Sequence, residues 1–121
     1  MDKKRILIAD DEPGIRSTVA RMLGEDYTIL QAADGREAWD IAREQRPDFI
    51  FMDIMMPKLN GYTACLRIKT HEATRGIPVV MLTAIGHEPY KKFAGGMGAD
   101  GYITKPFTRE ALLEEMRRLL L

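Results

Sequence analysis

The sequence predicts one α/β domain in which helices cover both faces of a parallel β-sheet. Short continuous apolar runs alternate with longer segments in which apolar residues recur at helical spacing. Continuous apolar runs are typical of strands that are buried on both faces, whereas a half-exposed sheet would show alternation of polar and apolar residues. A length of 121 residues suits one domain. We therefore expect five strand–helix units that form a single domain over residues 1–121.

The strands are predicted from runs rich in Ile, Val, Leu and Phe. Four runs cover residues 5–9, 49–52, 79–82 and 102–104, and a weaker fifth candidate covers residues 28–31. Each of the four strong runs ends at a polar residue, so side chains capable of chemistry are expected at the strand ends.

The first two helices are predicted from their end signals and apolar stripes. Pro13 stands near the start of the first helix, where a missing backbone N–H does little harm. The apolar stripe of that helix consists of Ile15, Val19, Met22 and Leu23. Asp34 is expected to cap the second helix, with Glu37 three residues later as in a capping box, and Pro47 stops that helix.

The other three helices also carry start or stop signals. Asn60 and Gly61 mark the start of the third helix. A short fourth helix is expected between Pro89 and Gly95, because glycines disfavour its continuation. Thr108 is the expected cap of the fifth helix. The apolar stripe of the fifth helix consists of Leu112, Leu113, Met116, Leu119 and Leu120.

Composition excludes several classes of function. The 18 basic residues balance 18 acidic ones, so the chain lacks the positive excess typical of proteins that bind nucleic acid or anionic membranes directly. No apolar run approaches the roughly 20 residues of a membrane helix, and the charged start of the chain does not resemble a signal peptide. The single cysteine, Cys65, favours a reducing compartment, and we expect a cytoplasmic protein.

Polar side chains at four strand ends form the main functional signal. Asp10, Asp11, Asp53, Thr83 and Lys105 follow or close these strands. Because the carboxyl ends of parallel strands share one edge of the sheet, these side chains are expected to converge on one crevice. Three carboxylates in one crevice repel each other unless a cation joins them. Oxygen ligands in small number favour Mg²⁺.

Such a crevice suits the formation of an aspartyl phosphate. Asp53 stands alone after its strand and is the expected nucleophile, whereas Asp10 and Asp11 form a natural metal pair. Lys105 and Thr83 would bind oxygens of the phosphoryl group. The residues alone do not predict a cis bond at Pro106, because only about 5–6% of X–Pro bonds are cis.

The chain resembles the receiver domain of two-component response regulators. The resemblance covers about residues 4–120 and is carried by the segments ILIADDEPGIR, DFIFMDIMMPKLNGY, VVMLTA and GADGYITKPF, in the order found in that family. It implies a doubly wound, flavodoxin-like fold whose five parallel strands follow the order 2-1-3-4-5, flanked by five helices. It also implies a chain that assists its own phosphorylation and dephosphorylation but turns over no separate substrate.

The same resemblance assigns roles to residues. It makes Asp53 the phosphoacceptor and also a ligand of Mg²⁺. Asp11 would bind Mg²⁺ directly, Asp10 through water, and the backbone carbonyl of Met55 would be a further ligand. Two apolar side chains near the crevice, Met55 and Ile85, are expected to hinder an attacking water and so to slow the loss of phosphate.

The resemblance further implies a switch and its partners. Thr83 and Tyr102 would form the switch pair, although Tyr102 taken alone could equally be a core aromatic, and Lys105 would bind phosphate with a cis bond to Pro106. The switched surface would lie on the fourth predicted helix, the last strand and the last helix. The phosphoryl donor would be a histidine kinase or a histidine phosphotransfer protein. The signal would pass to a protein target or to an output domain absent from this chain.

Two other classes of protein share part of this pattern. A dehalogenase-type phosphatase also forms an aspartyl phosphate, but it carries Asp-x-Asp after its first strand. Here Asp10 and Asp11 are adjacent, and Met55 lies two residues beyond Asp53. A flavin-binding protein of similar topology would need stacking aromatics around a phosphate loop, which the sequence does not show.

Overall fold

Five parallel strands form the centre of the molecule. The computed structural model describes residues 3–84 and 98–120. The strands are β1 (Lys4–Ala9), β2 (Tyr27–Ala32), β3 (Phe49–Asp53), β4 (Val79–Ala84) and β5 (Gly101–Lys105). The weakest candidate from the sequence is therefore a full strand, β2. Strands β3, β4 and β5 end at Asp53, Ala84 and Lys105, one or two residues later than predicted. The candidate functional side chains therefore lie at the carboxyl ends of these strands.

Four α-helices lie in the described part of the chain. They are α1 (Pro13–Leu23), α2 (Gly35–Gln45), α3 (Gly61–Thr70) and α4 (Arg109–Leu119), and a 3₁₀ turn (Gly24–Asp26) follows α1. The helix predicted between Pro89 and Gly95 lies outside the described residues. None of the four helices in the described part of the chain is long and apolar enough to cross a membrane.

The sheet has the order β2-β1-β3-β4-β5 with every neighbouring pair parallel, which confirms the predicted doubly wound α/β fold. The register aligns the carboxyl ends of the strands along one edge. Asp53 pairs with Leu82 of β4, and Lys105 pairs with Ala84. Residues from three distant stretches of sequence therefore meet at this edge of the sheet.

The core consists of two apolar layers, one on each face of the sheet. Leu7 and Ile50 belong to the layer beneath α2 and α3, while their neighbours Ile6 and Phe49 belong to the layer beneath α1 and α4. All four side chains are fully buried. Burial on both faces explains why the strands read as continuous apolar runs in the sequence.

Side-chain caps begin three of the helices; the sequence predicted the caps of α2 and α4 and the start of α3. Asp34 accepts a hydrogen bond from the backbone N–H of Glu37 (2.8 Å) at the start of α2. Asn60 caps α3 in the same way, and Thr108 caps α4. Each cap satisfies a backbone donor that has no partner within the helix. Pro13 is the first residue of α1, as expected.

Replacing a side chain of the central sheet should measure how strongly the core holds this fold. Leu7→Ala removes a fully buried side chain from β1, and we expect it to lower the free energy of unfolding by about 2–5 kcal/mol in urea titrations followed by circular dichroism. Leu66→Ala on α3, where the side chain is 40% exposed, is the control and should change it by less than about 0.5 kcal/mol. Equal losses in the two variants would contradict this assignment of the core.

Candidate functional site

The carboxyl edge of the sheet holds an open cleft of about 280 Å³. Asp10 and Asp11 directly follow β1, Asp53 ends β3, and Lys105 ends β5. The cleft is lined by Asp11, Glu12, Asp53, Ile54, Met55, Leu82, Ala84 and Lys105. The structure thus brings together the acidic residues and the lysine that the sequence placed at separate strand ends.

Lys105 connects two carboxylates across the sheet. Its ammonium nitrogen lies 3.0 Å from Oδ2 of Asp10 and 3.3 Å from Oδ1 of Asp53. Asp10 is fully buried and Asp53 is 7% exposed, so both charges sit in a poorly solvated place. The Lys105 ammonium contacts both carboxylates and offsets the repulsion between them.

Asp10 is held by the backbone around it. Its N–H donates to the carbonyl of Ala32 (3.0 Å), and its Oδ1 accepts from the N–H of Glu12 (2.9 Å). The guanidinium of Arg16 donates to the carbonyl of Asp10 (2.7 Å) and to the side chain of Gln31 (3.1 Å). These contacts fix the loop between β1 and α1, which carries the acidic residues.

The donor set fits a hard divalent cation. One carboxylate oxygen from each of Asp10, Asp11 and Glu12 lies within 4.8 Å of the others. Asp11 and Glu12 are exposed, so an ion and its waters can reach them from the cleft. Clustered oxygen ligands with room for water are what Mg²⁺ requires.

The sequence reasoning missed Glu12 as a member of this cluster and Arg16 as its support. The run of three consecutive acidic residues, Asp10 to Glu12, was the signal that could have identified Glu12. Nothing in the pattern of the sequence shows that the side chain of Arg16 reaches back to the carbonyl of Asp10.

Burial and charge shift the acidity of the site. Burial raises the pKa of Asp53 from 3.8 to about 6; the negative charge of Asp10 adds to this rise, while Lys105 opposes it. Burial acts to lower the pKa of Lys105, but its hydrogen bond to Asp10 and the nearby charge of Asp53 outweigh that effect and raise it. Lys105 therefore stays a cation at neutral pH, and Asp53 is mostly ionised.

Thr83 and Tyr102 occupy neighbouring strands and share one face of the sheet. Thr83 pairs with Thr104, and Tyr102 lies two residues before Thr104 on β5, so the two side chains are diagonal neighbours. Thr83 is 2% exposed, and its hydroxyl donates to the carbonyl of Ala84 (3.4 Å). Tyr102 is 44% exposed, so it is not a core aromatic residue.

The chain after Lys105 turns sharply beside the cleft. The bond between Lys105 and Pro106 is cis in the structure. Phe107 then packs against the apolar layer beneath α1 and α4, which ties this turn to the core. Ile85, expected near the crevice, lies outside the described residues.

Cys65 stands apart from this chemistry. It is fully buried on the inner face of α3, and burial raises the pKa of its thiol to about 12. A thiol with such a pKa remains protonated at neutral pH and is a poor nucleophile and a poor metal ligand.

Fold and site together define a class of small signalling domain: a doubly wound parallel sheet with an acidic crevice and a lysine at its carboxyl edge. A family model described as the response regulator receiver domain matches residues 6–117. The chain belongs to the family of response regulator receiver domains of two-component signalling.

Curated relatives are longer proteins. Residues of this chain are 44% identical over 119 positions to the DNA-binding dual master transcriptional regulator RpaA of Synechocystis sp., covering 96% of this chain and 48% of that protein. They are 39% identical to the phosphate regulon transcriptional regulatory protein PhoB of Pseudomonas aeruginosa, covering 97% of this chain and 52% of that protein. The chain thus spans about half the length of these relatives.

Solved structures agree with this assignment. The chemotaxis response regulator CheY4 of Vibrio cholerae matches with a TM-score of 0.88 and 34% identity, covering 98% of this chain and all of that one. The receiver domain of sensor histidine kinase PA1611 from Pseudomonas aeruginosa matches with a TM-score of 0.90 and 32% identity, covering 98% of both chains. That crystal structure has a magnesium ion coordinated in the active site cleft.

The raised pKa of Asp53 predicts that replacing this residue stabilises the protein by an amount that depends on pH. Because the folded state binds this proton more tightly than the unfolded state, ionisation of Asp53 costs stability as the pH rises from about 4 to 6. Asp53→Asn removes that cost. We expect it to raise the free energy of unfolding by roughly 2–3 kcal/mol at pH 7, and by progressively less as the pH falls towards 4.

Urea titrations in the presence of a chelator, at several pH values, would measure this gain. Asp26→Asn, at an exposed position in the 3₁₀ turn, is the matched control and should change the free energy of unfolding by less than about 0.5 kcal/mol. A gain at Asp53 that is the same at pH 4.5 and pH 7.5 would contradict the raised pKa.

Proposed function

We propose that Asp53 accepts a phosphoryl group from a histidine kinase or a histidine phosphotransfer protein in a Mg²⁺-dependent reaction. The observation that supports this most strongly is the position of Lys105, whose ammonium lies within hydrogen-bonding distance of both Asp53 and Asp10 at the cleft. The same ammonium can bind an oxygen of a phosphoryl group that has been transferred to Asp53.

The transfer needs little from the protein beyond position and charge. An oxygen of the Asp53 carboxylate attacks the phosphorus of a phosphohistidine, the P–N bond breaks, and the imidazole nitrogen keeps the bonding electron pair. The product is an aspartyl phosphate. With a pKa of about 6, Asp53 is mostly ionised at pH 7, so the nucleophile is available without a separate base.

The residues that would hold Mg²⁺ are Asp10, Asp11, Asp53 and the backbone carbonyl of Met55. Glu12 lies close enough to Asp10 and Asp11 to hold a water of the ion. Bound Mg²⁺ would supply positive charge against the phosphoryl oxygens. The acidic residues would thus keep the positive charge of Mg²⁺ beside Asp53, and Lys105 would supply a second positive charge from the end of β5.

Thr83 and Tyr102 would change conformation in response to the phosphoryl group. Within the described residues, the hydroxyl of Thr83 makes a long hydrogen bond to Ala84, which it could exchange for one to an anionic oxygen on Asp53. Tyr102 lies on the same face of the sheet and is half exposed, so a change at Thr83 reaches the surface of β5 within two residues. The response would pass through protein contacts at β5 and the last helix.

The proposal also names the partners of the domain and its location in the cell. The target is a downstream protein or an output domain outside this chain, reached without direct contact of this domain with nucleic acid or membrane. The domain assists its own phosphorylation and turns over no separate substrate, and the thiol of Cys65 favours a cytoplasmic location. A dehalogenase-type phosphatase is the second candidate, but its acid–base carboxylate would fall at Met55.

Intact mass after incubation with acetyl phosphate and Mg²⁺ tests the transfer. The wild-type chain should gain the mass of one phosphoryl group, because a small acyl phosphate can replace the phosphohistidine. Asp53→Asn should gain none, and a chelator should abolish the gain in the wild type. Asp26→Asn should behave as the wild type, and a phosphoryl gain that survives Asp53→Asn would overturn the proposal.

The side chain of Met55 should slow the loss of phosphate. It lines the cleft and is 65% exposed, so it covers the side from which water would approach the phosphoryl group. Met55→Asn replaces this cover with a polar side chain that can hold water. We expect it to shorten the phosphoryl half-life several-fold, measured by the decay of the phosphorylated mass after removal of the donor.

Leu66→Ala, an exposed apolar residue on α3 away from the cleft, is the control for this measurement. A wild-type half-life of seconds that Met55→Asn leaves unaltered would count against a protective role for Met55.

A further inference from the structure

The loop between β3 and α3 (residues 54–60) rests on the first turn of α2. An ideal Cβ placed on Gly35 would lie 1.6 Å from the carbonyl oxygen of Leu59 and 2.5 Å from its carbonyl carbon. No side chain fits in that space, because non-bonded carbon and oxygen atoms do not approach closer than about 3 Å. Gly35 is therefore required for the close approach of these two backbone segments.

The same loop is fixed at its ends and supported in its middle. The N–H of Gly61 donates to the carbonyl of Ile54 (2.8 Å), which draws the two ends of the loop together. Ile54 and Met56 are nearly buried and belong to the apolar layer beneath α2 and α3. Lys58 has a left-handed backbone (φ 66°), and its ammonium lies 3.6 Å from Asp34.

The loop, rather than the helix, must yield if this contact is disturbed. Ala38 and Ala42 of α2 are fully buried against the sheet, so a shift of the helix would disrupt the core. A larger residue at position 35 would instead push Leu59 outward by more than 1 Å. Because the hydrogen bond from Gly61 to Ile54 joins the two ends of the loop, a displacement at Leu59 would also act on Ile54, the neighbour of Met55, which lines the cleft.

We propose that Gly35 is a positioning residue for the Mg²⁺ site, acting through the contact between Leu59 and α2 to hold Met55 in place at the cleft. The three heavy atoms nearest to an ideal Cβ on Gly35 all belong to Leu59, so the loop is the first neighbour that a larger residue would displace. The inference rests on the proposed function, because it concerns how Met55, a proposed ligand of Mg²⁺, is held in position.

The test compares Mg²⁺ affinity in Gly35→Ala with that in Gly76→Ala. Gly76 lies in the turn before β4, and a Cβ there would meet nothing within 4 Å, so it is the matched control for adding one methyl group. Amide NMR spectra recorded during a MgCl₂ titration give the dissociation constant and also show that each variant is folded. We expect Gly35→Ala to weaken Mg²⁺ binding at least tenfold, and Gly76→Ala to match the wild type within twofold.

Urea titrations of the same variants separate support of the site from a general loss of stability. A folded Gly35→Ala protein that is less stable yet binds Mg²⁺ as tightly as Gly76→Ala would overturn the inference. Failure of the wild type itself to bind Mg²⁺ would instead overturn the proposed function.

Hydrogen exchange in the wild type tests the inference even if Gly35→Ala does not fold. The amides of Glu37 and Ala38 donate to Asp34 in the first turn of α2. If this turn and the loop support each other, Mg²⁺ bound at the cleft should slow exchange of these two amides, because coupling between sites is reciprocal. Exchange that is unchanged at saturating Mg²⁺ would overturn the inference.

Discussion

The ion pairs of Lys105 are the interaction on which the rest of the site depends. Two buried carboxylates, Asp10 and Asp53, lie at the carboxyl edge of the sheet, and the negative charge of Asp10 adds to the rise in the pKa of Asp53 that burial causes. The ammonium of Lys105 lies 3.0 and 3.3 Å from the two carboxylates and offsets their repulsion with a charge that the protein itself supplies. Because Lys105 is 95 residues from Asp10 in sequence, the site is complete only when β5 has joined the sheet.

The parallel sheet explains how such distant residues meet. Every strand runs in the same direction, so the end of each strand reaches the same edge. Because helices cover both faces of the sheet, polar side chains of the inner strands can reach solvent only at the ends of the strands, and the carboxyl edge is where they cluster. The two apolar layers hold the strands in register, and the register in turn sets the spacing between Asp53 and Lys105.

Much of this arrangement follows from local signals in the sequence. Caps such as Asp34 and Thr108 act within one helical turn, and continuous apolar runs reveal buried strands, so both could be read without coordinates. The convergence of Asp53 and Lys105 followed from the topology of parallel strands. The support of Asp10 by Arg16 and the approach of Leu59 to Gly35 could not be predicted, because they depend on loop conformations to within an ångström.

The burial of Cys65 has a consequence for how the domain would behave under oxidative stress. Peroxides and electrophiles react with thiolates, and a thiol with a pKa of about 12 beneath α3 offers them almost none. An oxidative burst would therefore leave this side chain unmodified. The proposed phosphoryl signal at the cleft would not be altered by oxidation at this residue.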